Sequence, residues 1–411
     1  METNSCTAPE TGKSNLAAPV KAMNFPVLTV ISLSHFLNDA TQSLLVPIYP
    51  LLMQQFSLTF TELGLISTTY QITGSLLQPL IGRFTDRHPM PRSLALGMCL
   101  TLSGILTISA APAYAWLILG ACIMGTGSSV FHPESSRVAR MAAGARFGFA
   151  QSIFQVGGHA GQACGPLLAA AIIMPRGQYS LSWLSVLPLT AMVLLLWIGS
   201  WEAKEIHGAK ARAAEVHANP VPRKTILRVF SILLLLIFSK YFYIASINNY
   251  LIFYLKQRFG ISVEAAQVRL FLFMFAMSAG TLLGGPLGDR FGRRYVIWFS
   301  ILGAAPFTLA LPYLDLAWTT VMIFVIGFIL SSAFAAIVVF AQELVPGHVG
   351  TVSGLFFGVS FGMAGIGAAV LGRTADVYGV EMVYHICAYL PLLGLLAVFL
   401  PNVKDVRPDA V

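Results

Sequence analysis

Charged residues are scarce in this chain. Only 10% of its 411 residues are Asp, Glu, Lys or Arg, whereas a soluble globular domain carries roughly 25%. Hydrophobic residues make up 56% and aromatic residues 11% of the sequence, and the mean hydropathy is +0.75. A water-soluble protein of this size needs more charge on its surface, and a disordered chain has fewer aromatic residues. Soluble enzymes, disulfide scaffolds and fibrous proteins are therefore excluded, and the composition predicts an integral membrane protein.

The chain also has few cysteines, and its first residues do not resemble a leader sequence. The five cysteines are odd in number and have no metal-ligand spacing: Cys6, Cys99, Cys122, Cys164 and Cys387. We expect them to be small packing residues and not ligands or disulfide partners. The first 24 residues are polar and have no apolar segment followed by a cleavage site, so no signal peptide is expected.

Long apolar runs are abundant, which excludes the alternating pattern of a membrane β-barrel. Each run is long enough for a membrane-spanning helix of about 20 residues. Twelve such runs are present, and we number them as spans 1 to 12: 25–54, 60–83, 93–111, 115–138, 148–173, 180–201, 226–255, 265–288, 294–313, 317–342, 350–373 and 382–400. The connections are too short for an extramembrane catalytic domain, so the chain is not expected to be an enzyme.

The basic residues cluster on one side of the predicted membrane. The formal net charge is +8, but most of the lysines and arginines fall in tails and loops on the side of the N-terminus. The positive-inside rule explains this without any nucleic acid and predicts that both termini are cytoplasmic. The predicted organisation is a cytoplasmic tail, a six-helix half, a charged cytoplasmic linker, a second six-helix half and a short cytoplasmic tail: 1–24, 25–201, 202–225, 226–400 and 401–411.

A loop motif occurs twice, once in each half. Gly-Arg-Phe-Thr-Asp-Arg at 82–87 follows span 2, and Gly-Pro-Leu-Gly-Asp-Arg-Phe-Gly-Arg-Arg at 285–294 follows span 8. The two aspartates are separated by 289 − 86 = 203 residues, and Ser-Ser-Val-Phe at 128–131 repeats as Ser-Ser-Ala-Phe at 331–334 with the same offset. These echoes indicate a duplicated half. The predicted gating residues are Gly82, Asp86, Arg87, Gly285, Asp289, Arg290, Gly292 and Arg293.

This duplicated loop in a twelve-span chain resembles the signature of the major facilitator superfamily. The resemblance implies an all-α membrane fold of two pseudo-symmetric six-helix halves around a central cavity, working by alternating access. The gating residues would then close the cytoplasmic side. Span 5 also contains Gly161, Gly165 and Pro166 in a pattern similar to the antiporter motif of drug exporters, although tight packing alone explains such a pattern too. Ala121 stands where such antiporters usually have an arginine.

Further strings are similar to the fosmidomycin resistance proteins, a branch that exports phosphonate antibiotics. They are the segment of span 4 from 125 to 141, Ser-Ile-Phe-Gln-Val-Gly-Gly at 152–158, Phe-Ser-Lys-Tyr-Phe-Tyr at 238–243 and Ala-Gln-Glu-Leu at 341–344. This resemblance implies an efflux transporter of the bacterial inner membrane. It also implies exchange of a small anionic drug such as fosmidomycin or fosfomycin for protons, by a monomer without a cofactor.

Polar residues inside the spans are the candidate transport site, because such residues are costly in a membrane. Span 1 has His35, Asn38, Asp39 and Gln42 on one helical face. We expect a cavity-facing proton or substrate site there, and the alternative is a fixed polar network between helices. Candidates from the other first-half spans are Gln155, His159, His132, Glu134 and Arg137. A metal site from His35, His132 and His159 has no supporting spacing, so none is expected.

The second half supplies a basic residue in the middle of span 7. Lys240 has about 14 residues of the span on either side, and a buried lysine needs an anionic partner or loses its proton. We expect it to bind the anionic head of the substrate with help from Arg137, and to pair with Asp39 or Glu134 otherwise. Asp39, Glu134 or His35 would carry the proton, and Tyr243 is a further candidate. The alternative function is a symporter that imports a small organic or phosphorylated anion.

Overall fold

The computed structural model describes residues 22–58, 60–212 and 221–401, and all regular secondary structure within them is helical. Each of the twelve predicted spans corresponds to one, two or three consecutive helical segments. The first half contains Phe25–Gln42 and Tyr49–Phe56 (span 1), Phe60–Arg87 (span 2), Ser93–Ser109 (span 3), Tyr114–Ala142 (span 4), Phe147–Leu168 with the turns Ala169–Ile173 and Met174–Arg176 (span 5), and Gln178–Ser185 leading into Val186–Arg212 (span 6).

The second half repeats this series of helices after the segment that connects the two halves. Its helices are Arg223–Phe259 (span 7), Val263–Phe291 (span 8), Arg293–Leu302, Ala305–Ala310 and Leu311–Tyr313 (span 9), Leu316–Ser331 and Ala333–Leu344 (span 10), Val349–Tyr378 (span 11), and Val380–Cys387 with Leu390–Phe399 (span 12).

Eight segments of the described chain are both long and apolar enough to cross a membrane by length and composition. The other four predicted spans are helical as well, and their sequences explain why they fall short. The first helix of span 1 ends at Gln42, span 3 has 17 residues, and spans 2 and 5 carry glutamine, serine, threonine or histidine along their buried faces. Polar side chains are unfavourable in contact with lipid, so these faces differ from those of a purely lipid-facing helix.

The end of the first half differs from the predicted linker. The helix of span 6 continues to Arg212, and Glu202 is buried inside the protein. The charged composition suggested a surface tether from 202 onwards, but the first of these charges has a buried partner, described below. Residues 213–220 of the predicted linker, residues 1–21 of the N-terminal tail and residues 402–411 of the C-terminal tail lie outside the described residues.

Glycine stripes bring the two halves together. A Cβ atom at Gly82 of span 2 would lie 2.0 Å from the carbonyl oxygen of Gly350 in span 11, and one at Gly285 of span 8 would lie 2.0 Å from that of Gly148 in span 5. Gly354 meets the backbone of span 2 in the same way. Only glycine permits such approaches, so both inter-half crossings have the same construction. We call the end of the bundle that contains Asp86 and Asp289 the latch end.

Span 5 packs on span 1 through a second set of glycines. A Cβ at Gly157 would lie 2.1 Å from the carbonyl oxygen of Ser32, and one at Gly161 2.3 Å from that of Phe36. Gly165 approaches Ser43 in the same way. The predicted packing motif therefore holds span 5 against span 1 within the first half. This contact brings the polar faces of the two helices together.

Candidate functional site

The polar face of span 1 is the centre of a buried hydrogen-bond network. Asn38 donates to Asp39 Oδ1 at 2.9 Å, and Gln42 Nε2 donates to Asn38 Oδ1 at 3.0 Å. Gln42 Oε1 in turn accepts hydrogen bonds from Tyr70 at 2.7 Å and Ser128 at 3.2 Å. The predicted stripe is thus brought together, and spans 2 and 4 contribute partners to it.

Asp39 also faces two imidazole rings. Its Oδ1 lies 3.5 Å from His35 Nε2 and 3.7 Å from His132 Nε2, and its Oδ2 accepts a 2.8 Å hydrogen bond from Gln162. Asp39, His35 and His132 are all at most 3% exposed. The sequence placed His132 on a different span, and only the packing of span 4 on span 1 shows that it completes this group.

Both rings are oriented by backbone carbonyls. His35 Nδ1 lies 2.7 Å from the carbonyl oxygen of Phe154, and His132 Nδ1 lies 3.0 Å from that of Ser128. A carbonyl oxygen only accepts, so Nδ1 carries a hydrogen in both rings and Nε2 is the ring atom that faces Asp39. The three ligand atoms lie within 4.8 Å of one another, which is a spacing compatible with a metal ion.

Lys240 lies buried in the middle of span 7, and no carboxylate of the described residues forms an ion pair with it. Its Nζ lies 5.4 Å from the ring centre of Tyr241 and 5.3 Å from that of Phe334. Such contacts stabilise a cation by about 0.5–2 kcal/mol, less than burial of its charge costs. The expected pairing with Asp39 or Glu134 is absent, so a buried cation is left with aromatic faces as its surroundings.

Aromatic rings connect Lys240 to the Asp39 cluster. Phe334 contacts Phe357 with ring centres 5.1 Å apart, and Phe357 contacts His132 at 5.5 Å. A continuous series of ring contacts therefore leads from Lys240 in the second half to the cluster around Asp39 in the first half.

Three other predicted site residues have different surroundings. His159 Nδ1 lies 3.2 Å from the hydroxyl of Thr281 in span 8, so this side chain contacts the second half. Gln155 is buried with an unpartnered Oε1. Tyr243 is buried in the apolar core of the second half with Tyr384 and Cys387.

Glu134 and Arg137 belong to a separate charged cluster near the latch end. Arg137 Nη2 lies 2.5 Å from Glu134 Oε2 and 2.7 Å from Glu202 Oε1. Glu134 also accepts hydrogen bonds from Thr85 and Ser93. Arg137 thus has two carboxylate partners already, so its expected role in binding the substrate with Lys240 does not fit this arrangement. The sequence could not reveal Glu202, because its charge made it look like linker.

The duplicated aspartates both cap helices of the opposite half. Asp86 accepts hydrogen bonds from the backbone N–H groups of Gly350 at 2.8 Å and Thr351 at 2.7 Å. Asp289 accepts from those of Gly148 and Phe149, both at 2.9 Å. A carboxylate is favourable at a helix N-terminus because the N–H groups there lack partners and carry partial positive charge.

The basic residues of the motif divide into two groups. Arg293 contacts Asp289 at 3.3 Å and Glu343 of span 10 at 2.8 Å, so it takes part in the expected latch. Arg87 and Arg290 are exposed instead. Gly292 has φ +98°, which favours glycine, and it ends the helix of span 8. Backbone N–H groups are therefore the main partners of both aspartates, and Arg293 is an additional partner of Asp289.

A polar cluster that the sequence did not single out also joins the halves. Gln342 of span 10 donates to Ser353 at 2.8 Å and to Ser136 of span 4 at 3.2 Å, and it accepts a hydrogen bond from Arg140. Ser136 donates to Gln151 at 3.0 Å. These contacts add to the closure near the latch end.

Comparisons with known proteins agree with this architecture. The family model of the Major Facilitator Superfamily matches residues 31–368 and 233–410. The fosmidomycin resistance protein of Escherichia coli (strain K12) is 57% identical over 92% of this chain and 93% of its own length. An uncharacterized MFS-type transporter of Bacillus subtilis (strain 168), YfnC, is 39% identical over 95% and 98%.

A solved structure supports the fold at lower sequence identity. The human organic anion transporter MFSD10 superposes with a TM-score of 0.75 at 16% identity and covers 92% of this chain and 100% of its own. Together with twelve helical spans and the duplicated latch, these matches confirm the predicted fold and the prediction that the chain is not an enzyme. The chain is a multi-pass membrane protein that belongs to the major facilitator superfamily, in the branch of the fosmidomycin resistance protein.

Proposed function

We propose that this protein exports phosphonate-type antibiotics, with fosmidomycin and fosfomycin as the first compounds to test, in exchange for protons. It would act as a monomer in the bacterial inner membrane with both termini in the cytoplasm. The name of the 57% identical relative supports a role in fosmidomycin resistance. The side chain that carries the proposal within this chain is Lys240.

Lys240 is suited to an anionic head group because its burial removes it from water while no carboxylate of the described residues neutralises it. A charge buried in a low-dielectric region is unfavourable until an opposite charge arrives. A phosphonate would supply that charge. The ring contacts from Phe334 through Phe357 to His132 lead from Lys240 to the first half, which supports an anion bound between the two halves.

The remaining polar residues around this region are proposed to surround the rest of the substrate. His159 and Gln155 lie on span 5, and Gln155 has an unpartnered buried oxygen. The cluster of His35, Asn38, Asp39, Gln42 and His132 is proposed as the side of the site that holds the countertransported cation. Coupling of drug export to protons is proposed for the transporter as a whole, and it is tested by transport driven by a pH gradient.

The latch end is proposed to be the cytoplasmic gate. Asp86 and Asp289 join the halves there, and their contacts must break before a drug can enter from the cytoplasm. Alternating access then consists of rocking the two halves relative to each other, which opens the contacts at the latch end. Arg87, Arg290, Glu134 and Arg137 would tune this gate and would not bind substrate.

Expression in a susceptible bacterium that lacks its own exporter tests the proposal. We expect tolerance to fosmidomycin or fosfomycin to rise, and tolerance to a lipophilic cation to stay unchanged. Lys240→Ala should abolish the gain. Lys256→Ala, which removes an exposed cation from the same helix, is the matched control and should keep it.

Unchanged phosphonate tolerance at confirmed membrane expression would contradict the export proposal. Full resistance of Lys240→Ala would contradict the anion site. Increased sensitivity to the same compounds would instead favour the alternative, a symporter that brings the anion into the cell.

A further inference from the structure

The cluster formed by His35, Asp39 and His132 has the construction of a metal site. Its three potential ligand atoms are His35 Nε2, His132 Nε2 and one oxygen of Asp39. Two imidazoles and a carboxylate form a donor set that suits Zn²⁺ and its neighbours in the first transition row. Sequence spacing alone does not indicate this group, because His35 and Asp39 are four residues apart on span 1, His132 comes from span 4, and the third histidine considered, His159, is not part of it.

The distances in the cluster distinguish a metal ion from a simple hydrogen bond. An N–H···O hydrogen bond requires about 2.7–3.2 Å between the heavy atoms, and the two Nε2 atoms lie 3.5 and 3.7 Å from Asp39 Oδ1. Ligands that surround a tetrahedral ion with bonds of about 2.0–2.2 Å lie roughly 3.3–3.5 Å apart. The observed spacing is wider than that of ordinary hydrogen bonds, lies within the range of ion pairs and is close to that of ligands around a metal ion.

The orientation of the rings gives an independent argument. Each Nδ1 donates to a backbone carbonyl, so both Nε2 atoms face an anionic oxygen. A positive charge among these atoms, from a metal ion or from a proton on an imidazole, stabilises the carboxylate. His132 Nε2 is fully buried and has no hydrogen-bond partner.

The outer partners match those of known metal sites. Histidine ligands generally donate their second ring N–H to a carbonyl or carboxylate, and ligating carboxylates are themselves hydrogen-bonded. Here His35 and His132 donate to the carbonyls of Phe154 and Ser128, while Asp39 accepts from Asn38 and Gln162. These contacts hold all three ligands in place.

We propose that His35, Asp39 and His132 bind a divalent transition-metal ion such as Zn²⁺, with a fourth coordination position left for water or another ligand. A metal ion would compete with protons for these three ligand atoms, and its binding is measured on the protein itself, independently of the transported compound. The ion would fix span 1 to span 4 beside Phe357 and Phe361 of the second half, whose rings contact His132.

Metal titration of the purified full-length protein tests the site. The protein should carry an affinity tag without histidine, and binding of Zn²⁺ is measured by calorimetry after removal of trace metals. Binding of Co²⁺ is followed by the intense visible absorption of its four-coordinate form. We expect one ion per chain for the wild type.

Variants assign the ion to the cluster. His35→Gln, His132→Gln and Asp39→Asn should each remove the stoichiometric site and the Co²⁺ absorption. Gln162→Leu, which removes only an outer hydrogen bond, should weaken binding roughly 10–100-fold. His348→Gln alters an exposed histidine far along the chain and should bind like the wild type. Size-exclusion profiles identify variants that fail to fold. If a ligand variant fails to fold, the weaker metal binding expected of Gln162→Leu still tests the site.

A wild-type protein that binds no Zn²⁺ and gives no four-coordinate Co²⁺ spectrum would overturn the proposal. Binding that persists unchanged in both His35→Gln and His132→Gln would also overturn it, because the ion would then lie elsewhere.

Discussion

Buried charged side chains in this protein have two different kinds of surroundings. Arg137 lies between two carboxylates, whereas Lys240 faces aromatic rings and has no carboxylate partner among the described residues. Removing one member of a buried ion cluster leaves the others uncompensated, while an unpaired cation is ready to accept an anion. A buried basic side chain therefore stabilises the fold at Arg137 and is proposed to take part in transport at Lys240.

Arg137→Ala is expected to reduce stability more than it changes substrate preference. The substitution leaves Glu134 and Glu202 buried without their shared cation, a loss of about 3–5 kcal/mol. A lower melting temperature of the protein in detergent measures it, and Arg146→Ala at an exposed position is the control. If Arg137→Ala kept wild-type stability and lost only its affinity for the drug, the result would contradict this expectation and indicate that Arg137 binds substrate.

The sequence revealed some site residues and could not reveal others for a definite physical reason. Helical spacing was enough to place His35, Asn38, Asp39 and Gln42 on one face, and the hydrogen bonds among them agree with it. Periodicity acts within one helix, however, and His132 meets Asp39 only through the packing of two helices.

At the scale of helices, glycine positions decide how closely the halves approach. Gly82, Gly350 and Gly354 lie at crossings where a Cβ would contact backbone atoms, while Gly362 in the same stripe has its nearest neighbour 3.9 Å away. The spacing in the sequence predicted close contact for span 11. It did not identify span 2 as the partner, because a stripe of small residues fits any smooth helix.

Gly82→Ala should move the latch end apart. Its Cβ would lie 2.0 Å from the Gly350 carbonyl oxygen, and a backbone atom cannot rotate out of the way. Spin-label distances across the latch end, measured in a cysteine-free background, should increase. Gly362→Ala is the matched control and should leave them unchanged. Equal distances in wild type and Gly82→Ala would contradict the assigned crossing.

The two capping aspartates are expected to contribute similarly to closure. Asp86→Asn and Asp289→Asn each remove a full negative charge from a helix N-terminus, worth about 1 kcal/mol. Each should raise the ratio of open to closed latch about fivefold, and the same spin-label distances report it. Because the two sites are separate, the double variant should multiply the effects. No shift in either variant would mean that the caps do not control the gate.

The duplicated loops show which helix contacts a sequence pattern can predict and which it cannot. The 203-residue offset predicted two equivalent latches, and both aspartates do contact the opposite half. Their partners are backbone N–H groups at Gly350, Thr351, Gly148 and Phe149. A sequence gives no direct sign of such groups, since every residue except proline carries one.

At the scale of the whole molecule, the proposed exchange moves charge in one direction. A monovalent anion leaving and a proton entering both carry positive charge inward. The membrane potential then assists with about 4.6 kcal/mol per 100 mV for one of each, twice the value for a single charge. Transport should therefore be electrogenic, and currents on supported membranes or potential-sensitive dyes measure it. Electroneutral transport would contradict this stoichiometry.

The surface of the whole molecule explains why a small share of charged residues is sufficient for this protein. With 10% charged residues, most of the surface is apolar, as lipid contact requires. Among the described residues, the buried charged side chains are Asp39, Lys240, Glu343 and the cluster of Glu134, Arg137 and Glu202, and each has a structural or proposed transport role. Composition alone identified the membrane protein, but only the packing distinguishes these roles.

Uptake of radiolabelled fosmidomycin into inside-out vesicles tests the central claim most directly. With an acidic lumen and a lumen-positive potential, wild-type protein should accumulate the drug, Lys256→Ala should match it, and Lys240→Ala should fall to the level of vesicles without transporter. The account is contradicted if wild-type vesicles take up no drug, or if Lys240→Ala accumulates it as the wild type does.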